Sequence, residues 1–157
     1  MYELTALLDA TEERNRTTAE DTNQDPAEDT TEDSTVAARV TRRIVLVEDQ
    51  DDLRASFRAL LEQNGHRVTE ASDGVTGLAC ILDERPDVAI VDIGLRGLDG
   101  YDVARRVRAV LGASVRLIAT TGLGGERDRR AALDAGFEVH LVKPFDFAVI
   151  ETLRQAR

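Results

Sequence analysis

Ile44-Val45-Leu46-Val47-Glu48-Asp49 and Val88-Ala89-Ile90-Val91-Asp92 decide the reading of this chain. Each is a short apolar run, rich in β-branched residues, that ends abruptly in acid. A continuous apolar run without polar alternation is the pattern of a strand buried on both faces, as in a parallel sheet covered by helices. The flanking sequence agrees. After the first run, Leu53, Phe57, Leu60 and Leu61 recur at helical spacing until Asn64-Gly65 stops them. His66 to Ala71 reads as a second strand, and Asp73-Gly74 opens a helix to about Glu84 with Val75, Leu78 and Leu82 on one face. After the second run, Asp99-Gly100 opens a helix to about Leu111, and Val115 to Thr120 forms a fourth strand. Gly122-Leu123-Gly124-Gly125 leads into a helix from about Glu126 to Ala135, closed by Gly136. Phe137 to Val142 is the fifth strand, followed by Lys143-Pro144 and a last helix from about Asp146. Five strand–helix alternations in roughly 115 residues predict an α/β fold with a doubly wound, five-stranded parallel sheet.

The chain has 157 residues and a net charge of −10, from 20 basic and 30 acidic residues. The excess acidity lies in residues 1–40, which hold 11 acids against Arg14, Arg16 and Arg39. From Glu12 to Ser34 almost no large apolar residue occurs, so this segment cannot bury enough surface to offset its ordering entropy. Residues 1–40 are therefore expected to be an acidic, mostly disordered tail, and residues 41–157 the folded domain. The tail reads either as a solvating extension or as an arm whose acids meet an Arg-rich surface, such as the helix carrying Arg127, Arg129 and Arg130. The acidic balance argues against a nucleic-acid partner, which needs a basic face. The single cysteine, Cys80, excludes an internal disulfide framework. No apolar run approaches the ~20 residues that span a bilayer, and the first residues lack a secretory pattern, so a cytoplasmic protein without a membrane role is expected.

In an open parallel sheet the functional crevice lies beyond the C-terminal ends of the strands. Here those ends carry Glu48-Asp49, Asp92, Thr120-Thr121 and Lys143. Three acids brought together repel one another and call for a cation, and oxygen ligands with room for water suit Mg²⁺. Carboxylates act as nucleophiles that form aspartyl phosphates, and transfer of a phosphoryl group needs mainly positioning and charge stabilisation. Lys143 supplies a compact cation and a threonine a hydroxyl donor. Nineteen of the 20 basic residues are Arg and the only Lys is Lys143, as a site needing a point charge and not a planar fork would require. Taken singly, each group has a plainer reading: Asp49 or Asp51 as a helix cap, Asp92 as a turn residue, the threonines as strand residues.

Residues from about Arg43 to Leu153 closely resemble the receiver domain of two-component response regulators, with a flavodoxin-like (βα)5 fold. The resemblance rests on Val47-Glu48-Asp49, Val91-Asp92-Ile93-Gly94-Leu95, Leu98-Asp99-Gly100-Tyr101, Ala119-Thr120-Thr121-Gly122 and Lys143-Pro144-Phe145, in that order. It implies that Asp92 accepts a phosphoryl group from a phosphohistidine. Asp49, Asp92 and the backbone carbonyl of Gly94 would bind Mg²⁺, with Glu48 acting directly or through water. Thr121 would be the switch hydroxyl, Lys143 would pair with the phosphate, and the Lys143-Pro144 bond would be cis. Partners would be a sensor histidine kinase or a histidine phosphotransfer protein, and a downstream protein target. Beyond self-phosphorylation from a phosphodonor and slow autodephosphorylation, no enzyme activity is expected.

Two departures from the family pattern stand out, and two further positions bear on phosphoryl lifetime. Arg96 occupies a position often held by Pro, which would loosen the loop after Asp92. His140 stands where a switch Tyr or Phe is common, and reads either as a gating residue or as a plain strand residue. Gly94 and Leu123 flank the path of a hydrolytic water and carry no group to activate it, hence the slow dephosphorylation. The receiver is expected to signal by a conformational switch without an output domain of its own. Other readings are a phosphorylation-independent docking module, a haloacid-dehalogenase-type phosphatase and a flavodoxin-like cofactor binder. The phosphatase needs a second Asp where Gly94 stands. The cofactor binder needs a phosphate cradle where Glu48-Asp49-Gln50-Asp51-Asp52 would repel phosphate.

Overall fold

The computed structural model describes residues 41–145. In chain order they form β1 (Arg43–Val47), α1 (Asp51–Gln63), β2 (Arg67–Ala71), α2 (Gly74–Glu84), β3 (Val88–Asp92), α3 (Gly100–Leu111), β4 (Arg116–Thr121), α4 (Glu126–Ala135) and β5 (Val139–Val142). The tail expected over 1–40 and the helix expected from Asp146 lie outside these residues.

The five strands make one parallel sheet in the order β2-β1-β3-β4-β5. The chain runs outward from β1 to β2, then crosses back over β1 to β3 and continues to β5. The order therefore reverses between β1 and β3, where the connections leaving the two strands part to opposite faces and open a crevice. Register places Val47 of β1 beside Val91 of β3, so the acids that follow each strand emerge together.

Side chains alternate between the two faces as strand geometry demands. Val45, Val47, Ala89, Val91, Leu117 and Ala119 pack with Ile81 of α2, Val103, Ala104 and Val107 of α3, and Ala132 and Ala135 of α4. Ile44, Leu46, Ile90 and Ile118 face the other way, onto Phe57 and Leu61 of α1. Burying each large aliphatic chain contributes about 1.5–3 kcal/mol, and Ile44 to Val47 of β1 are buried on both faces in this way. The edge strand β2 is only half-buried and more polar. Its Glu70 pairs with Arg58 at 2.7 Å and its Thr69 hydroxyl donates to Glu84 at 3.0 Å, chemistry suited to a sheet edge.

Two caps follow the sequence reading. Asp73 accepts from the N–H groups of Val75 and Thr76 at 2.9 Å, and Asp99 accepts from Asp102 N–H at 2.8 Å. A third does not: the residue before α1 is Gln50, which makes no side-chain cap, so neither Asp49 nor Asp51 serves as one. Asp51 and Asp52 instead lie in the first turn, where the helix dipole favours acids. Strand boundaries shift for identifiable reasons. His66 and Phe137 fall outside β2 and β5 because their N–H groups close the preceding helices, on Leu61 O at 3.1 Å and Ala132 O at 3.0 Å. The fourth strand spans Arg116–Thr121, one residue later than Val115–Thr120. Helix α4 is not basic in balance: its three arginines are matched in number by Glu126, Asp128 and Asp134, with Arg129 paired to Glu126 and Arg130 to Asp134.

Candidate functional site

Glu48 leaves β1 fully buried and rigidly held. Its N–H donates to Ala71 O at 3.1 Å, and Arg54 of α1 donates to its carbonyl at 2.9 Å. Asp92 closes β3, is also buried, and lies beside Thr120 in the β3–β4 register. Helix α3 begins against it: a Cβ placed on Gly100 would lie 2.4 Å from the Asp92 carbonyl oxygen, so only glycine permits this approach. Gly100 N–H donates to Ile93 O at 3.2 Å and fixes the helix there.

One carboxylate oxygen from each of Glu48, Asp49 and Asp92 falls within 4.8 Å of the others. Lys143, at the end of β5, reaches across the crevice. Its Nζ donates to Glu48 Oε2 at 2.6 Å and to Asp92 Oδ1 at 3.0 Å. The Lys143 N–H donates to Thr121 O at 2.7 Å, which ties the end of β5 to the end of β4. Thr121 is buried, and its hydroxyl accepts from Leu123 N–H at 3.0 Å. The Lys143-Pro144 bond is cis. The groups at the four strand ends thus converge as the sequence indicates.

The electrostatics follow from burial and pairing. Desolvation raises the Glu48 carboxyl above its ordinary value, although the hydrogen bond from Lys143 opposes it and nearby Asp92 reinforces it. Burial pulls the Lys143 ammonium down, but hydrogen bonds to Glu48 and Asp92 outweigh it and hold Lys143 above the ordinary lysine value. Three close oxygens of hard donors, two of them buried, fit a small divalent cation such as Mg²⁺.

Several residues show features that the sequence did not reveal. Lys143, expected to pair with a phosphate, bridges two acids here. Gly94 lies close to Asp92: a Cβ there would lie 3.3 Å from Asp92 Oδ2. His140 is half-buried on β5, opposite Ala119, and its Nε2 is buried without a hydrogen-bond partner among the described residues. Arg96 does not simply loosen its loop, because its Nε stands 3.4 Å from Asp49 Oδ2. Neither that pair nor the role of Arg54 was read from the sequence, since arginine reach depends on a loop path and helix phase that composition does not encode. At the opposite edge of the sheet, an open groove of about 750 Å³ lined by Arg42, Arg108, Arg116 and Glu138 involves none of these groups.

Comparison with known proteins gives one answer. The family described as response regulator receiver domain matches residues 44–154. Among curated relatives, the transcriptional regulatory protein CseB of Streptomyces coelicolor is 36% identical over 107 residues, 68% of this chain and 45% of CseB. Response regulator MprA of Mycobacterium sp. (strain KMS) is 37% identical over 115 residues, 73% of this chain and 49% of MprA. The chain thus spans about half the length of these relatives. Among solved structures, the receiver domain of a sensor histidine kinase from Pseudomonas aeruginosa PAO1 is 34% identical, with a TM-score of 0.67. That match covers 74% of this chain and 96% of the other, which was solved with a magnesium ion coordinated in its active site cleft. A family match over 44–154, together with a crevice that gathers Glu48, Asp49, Asp92 and Lys143, makes this chain a member of the response regulator receiver domain family.

Proposed function

We propose that this receiver takes a phosphoryl group from a phosphohistidine donor onto Asp92, in a two-component or phosphorelay system. The supporting observation is the Lys143 Nζ bridge, which brings a cation within 3.0 Å of Asp92 Oδ1 inside a cluster of three carboxylates. In the transfer, a carboxylate oxygen of Asp92 forms the new P–O bond. The P–N bond breaks, and its electron pair returns to the donor imidazole, which leaves neutral when its other nitrogen carries a proton. Asp49, the Asp92 carboxylate and the Gly94 carbonyl would hold Mg²⁺, with Glu48 acting directly or through a water. Bound there, Mg²⁺ supplies neutralising charge to the phosphoryl oxygens. Lys143 exchanges an Asp92 oxygen for a phosphoryl oxygen, and Thr121 turns its hydroxyl toward another. His140 and the segment after β4 then follow, and the reshaped face passes the signal to a downstream protein by contact. The donor is a sensor histidine kinase or a histidine phosphotransfer protein in the cytoplasm. Beyond self-phosphorylation and slow loss of the group, the chain is not an enzyme.

Intact-mass spectrometry after incubation with a small-molecule phosphodonor, with and without Mg²⁺, tests this reading. A Mg²⁺-dependent gain of one phosphoryl group that Asp92→Asn abolishes is the expected result. No gain in either condition would reject it in favour of a docking module that works without phosphorylation.

A further inference from the structure

Two cations serve the acidic cluster, and they are held very differently. Lys143 is half-buried, with only 16% of its side chain exposed, and bonds Glu48 and Asp92. The remaining acid, Asp49, is paired by Arg96, whose side chain is 89% exposed. Leu95, just before Arg96, is buried in the core beneath α3 and anchors the loop. Gly97, just after it, turns the backbone through φ +80°. The guanidinium is thus carried to the mouth of the crevice on a fixed stem, with its outer side in water. Among the described residues its side chain is 89% exposed, so it can leave Asp49 without disturbing the core.

We propose that Arg96 is a built-in competitor for the metal: its guanidinium stands against the Asp49 carboxylate at the mouth of the cluster and opposes a divalent cation there, so that Arg96 lowers the cation affinity of the receiver. This rests on the metal site assigned above. A guanidinium 3.4 Å from the Asp49 carboxylate already offsets part of the charge that would draw a cation there. A divalent ion at the cluster also repels the guanidinium beside it. Both effects weaken metal binding, and by reciprocity metal binding weakens the Arg96–Asp49 pair. An exposed pair is worth little by itself, and the repulsion is screened over about 10 Å at 0.1 M salt. Together they amount to about a three- to tenfold loss of affinity at low salt, shrinking below about twofold near 1 M.

The test uses the full chain and Mn²⁺ as an octahedral, oxygen-seeking probe, followed by the electron paramagnetic resonance signal of the free ion, with Mg²⁺ as displacer. Arg96→Gln removes the guanidinium charge and keeps polar bulk. Arg130→Gln, on α4 and paired with Asp134, removes the same formal charge away from the cluster. Tighter Mn²⁺ and Mg²⁺ binding in Arg96→Gln by about three- to tenfold, with Arg130→Gln near wild type and the difference fading with salt, is the expected result. Equal affinities for the two variants overturn the proposal while leaving the metal site standing. No ion uptake by wild type or Arg96→Gln at millimolar concentrations overturns the metal site itself, and the competitor role with it.

Discussion

Replacing Lys143 by Met tests the electrostatic account of the crevice most directly. The change keeps an unbranched chain of similar length and deletes the charge that Glu48 and Asp92 share at 2.6 and 3.0 Å. Removing one partner of a fully buried ion pair costs about 3–5 kcal/mol, because the other charge is left uncompensated. The crevice is open on one side and Lys143 keeps some exposure, which places the expected loss at about 2–3 kcal/mol at pH 7.5. The pH dependence carries the sharper signature. Glu48 has a folded-state pKa above its ordinary 4.5, so its proton is bound more tightly in the folded protein than in the unfolded chain. Stability from that proton is complete below 4.5 and is lost as pH rises through the raised value. Without Lys143 the value rises further, since both the hydrogen bond and the attraction are gone. In the variant, lowering the pH therefore favours the protonated form of Glu48, weakens its repulsion with Asp92, and makes the loss smaller at pH 5 than at pH 7.5. Lys143 itself titrates above its ordinary 10.5 and does not contribute to this window. The chain has no Trp, so urea unfolding is followed by far-ultraviolet circular dichroism at pH 7.5 and pH 5. A loss that is the same at both pH values, or no loss at all, refutes the reasoning.

Gly100→Ala puts a methyl group 2.4 Å from the Asp92 carbonyl oxygen, so α3 must move off β3. A loss of about 1–3 kcal/mol in urea unfolding is expected, with slower phosphorylation because Asp92 moves with its carbonyl; wild-type stability would show that the start of α3 yields without cost and would refute the close-approach argument. Gly94 and Leu123 offer no group to orient a water near Asp92, so the phosphoryl group is expected to persist, and Gly94→Asn to speed its loss by several-fold or more through a positioned amide. Time-resolved mass spectrometry of the purified phosphoprotein measures both, and a faster decay for wild type than for Gly94→Asn would contradict the assignment.

The sequence made the elements legible because most of its local signals agree with one another. The apolar runs at Ile44–Val47 and Val88–Val91 are core strands, and Asp73 and Asp99 are caps. Convergence of Glu48, Asp49, Asp92 and Lys143 was also legible, since strand ends in a parallel sheet share one edge whatever the order of the strands. That order was not legible. Only the register of β1 against β3 shows which acids become neighbours. Nor did composition show that the arginines of α4 are balanced by acids one turn away, or that Phe137 spends its N–H on closing α4. Arg108 illustrates the same limit. Its guanidinium donates to the carbonyls of Gly136, Gly112 and Val115, joining the ends of α3 and α4 to the start of β4, a convergence set by tertiary structure.

Arg108 also shows why the one lysine of this chain stands where it does. Where a cation must satisfy several acceptors spread in a plane, the chain uses the guanidinium fork, at Arg108 and again at Arg43, which donates to Asp87 through its N–H and to Glu84 O and Arg85 O through its side chain. The Lys143 site has a different shape. Its two acceptors, Glu48 Oε2 and Asp92 Oδ1, belong to different strands and meet at a single point, 2.6 and 3.0 Å from one nitrogen. A planar fork would engage one carboxylate through both its oxygens and carry bulk into the space a cation and a phosphoryl group need. A point charge on a flexible stem can transfer from one oxygen to another with a small rotation. Lys143→Arg is therefore not a conservative change in this crevice, although the charge is kept.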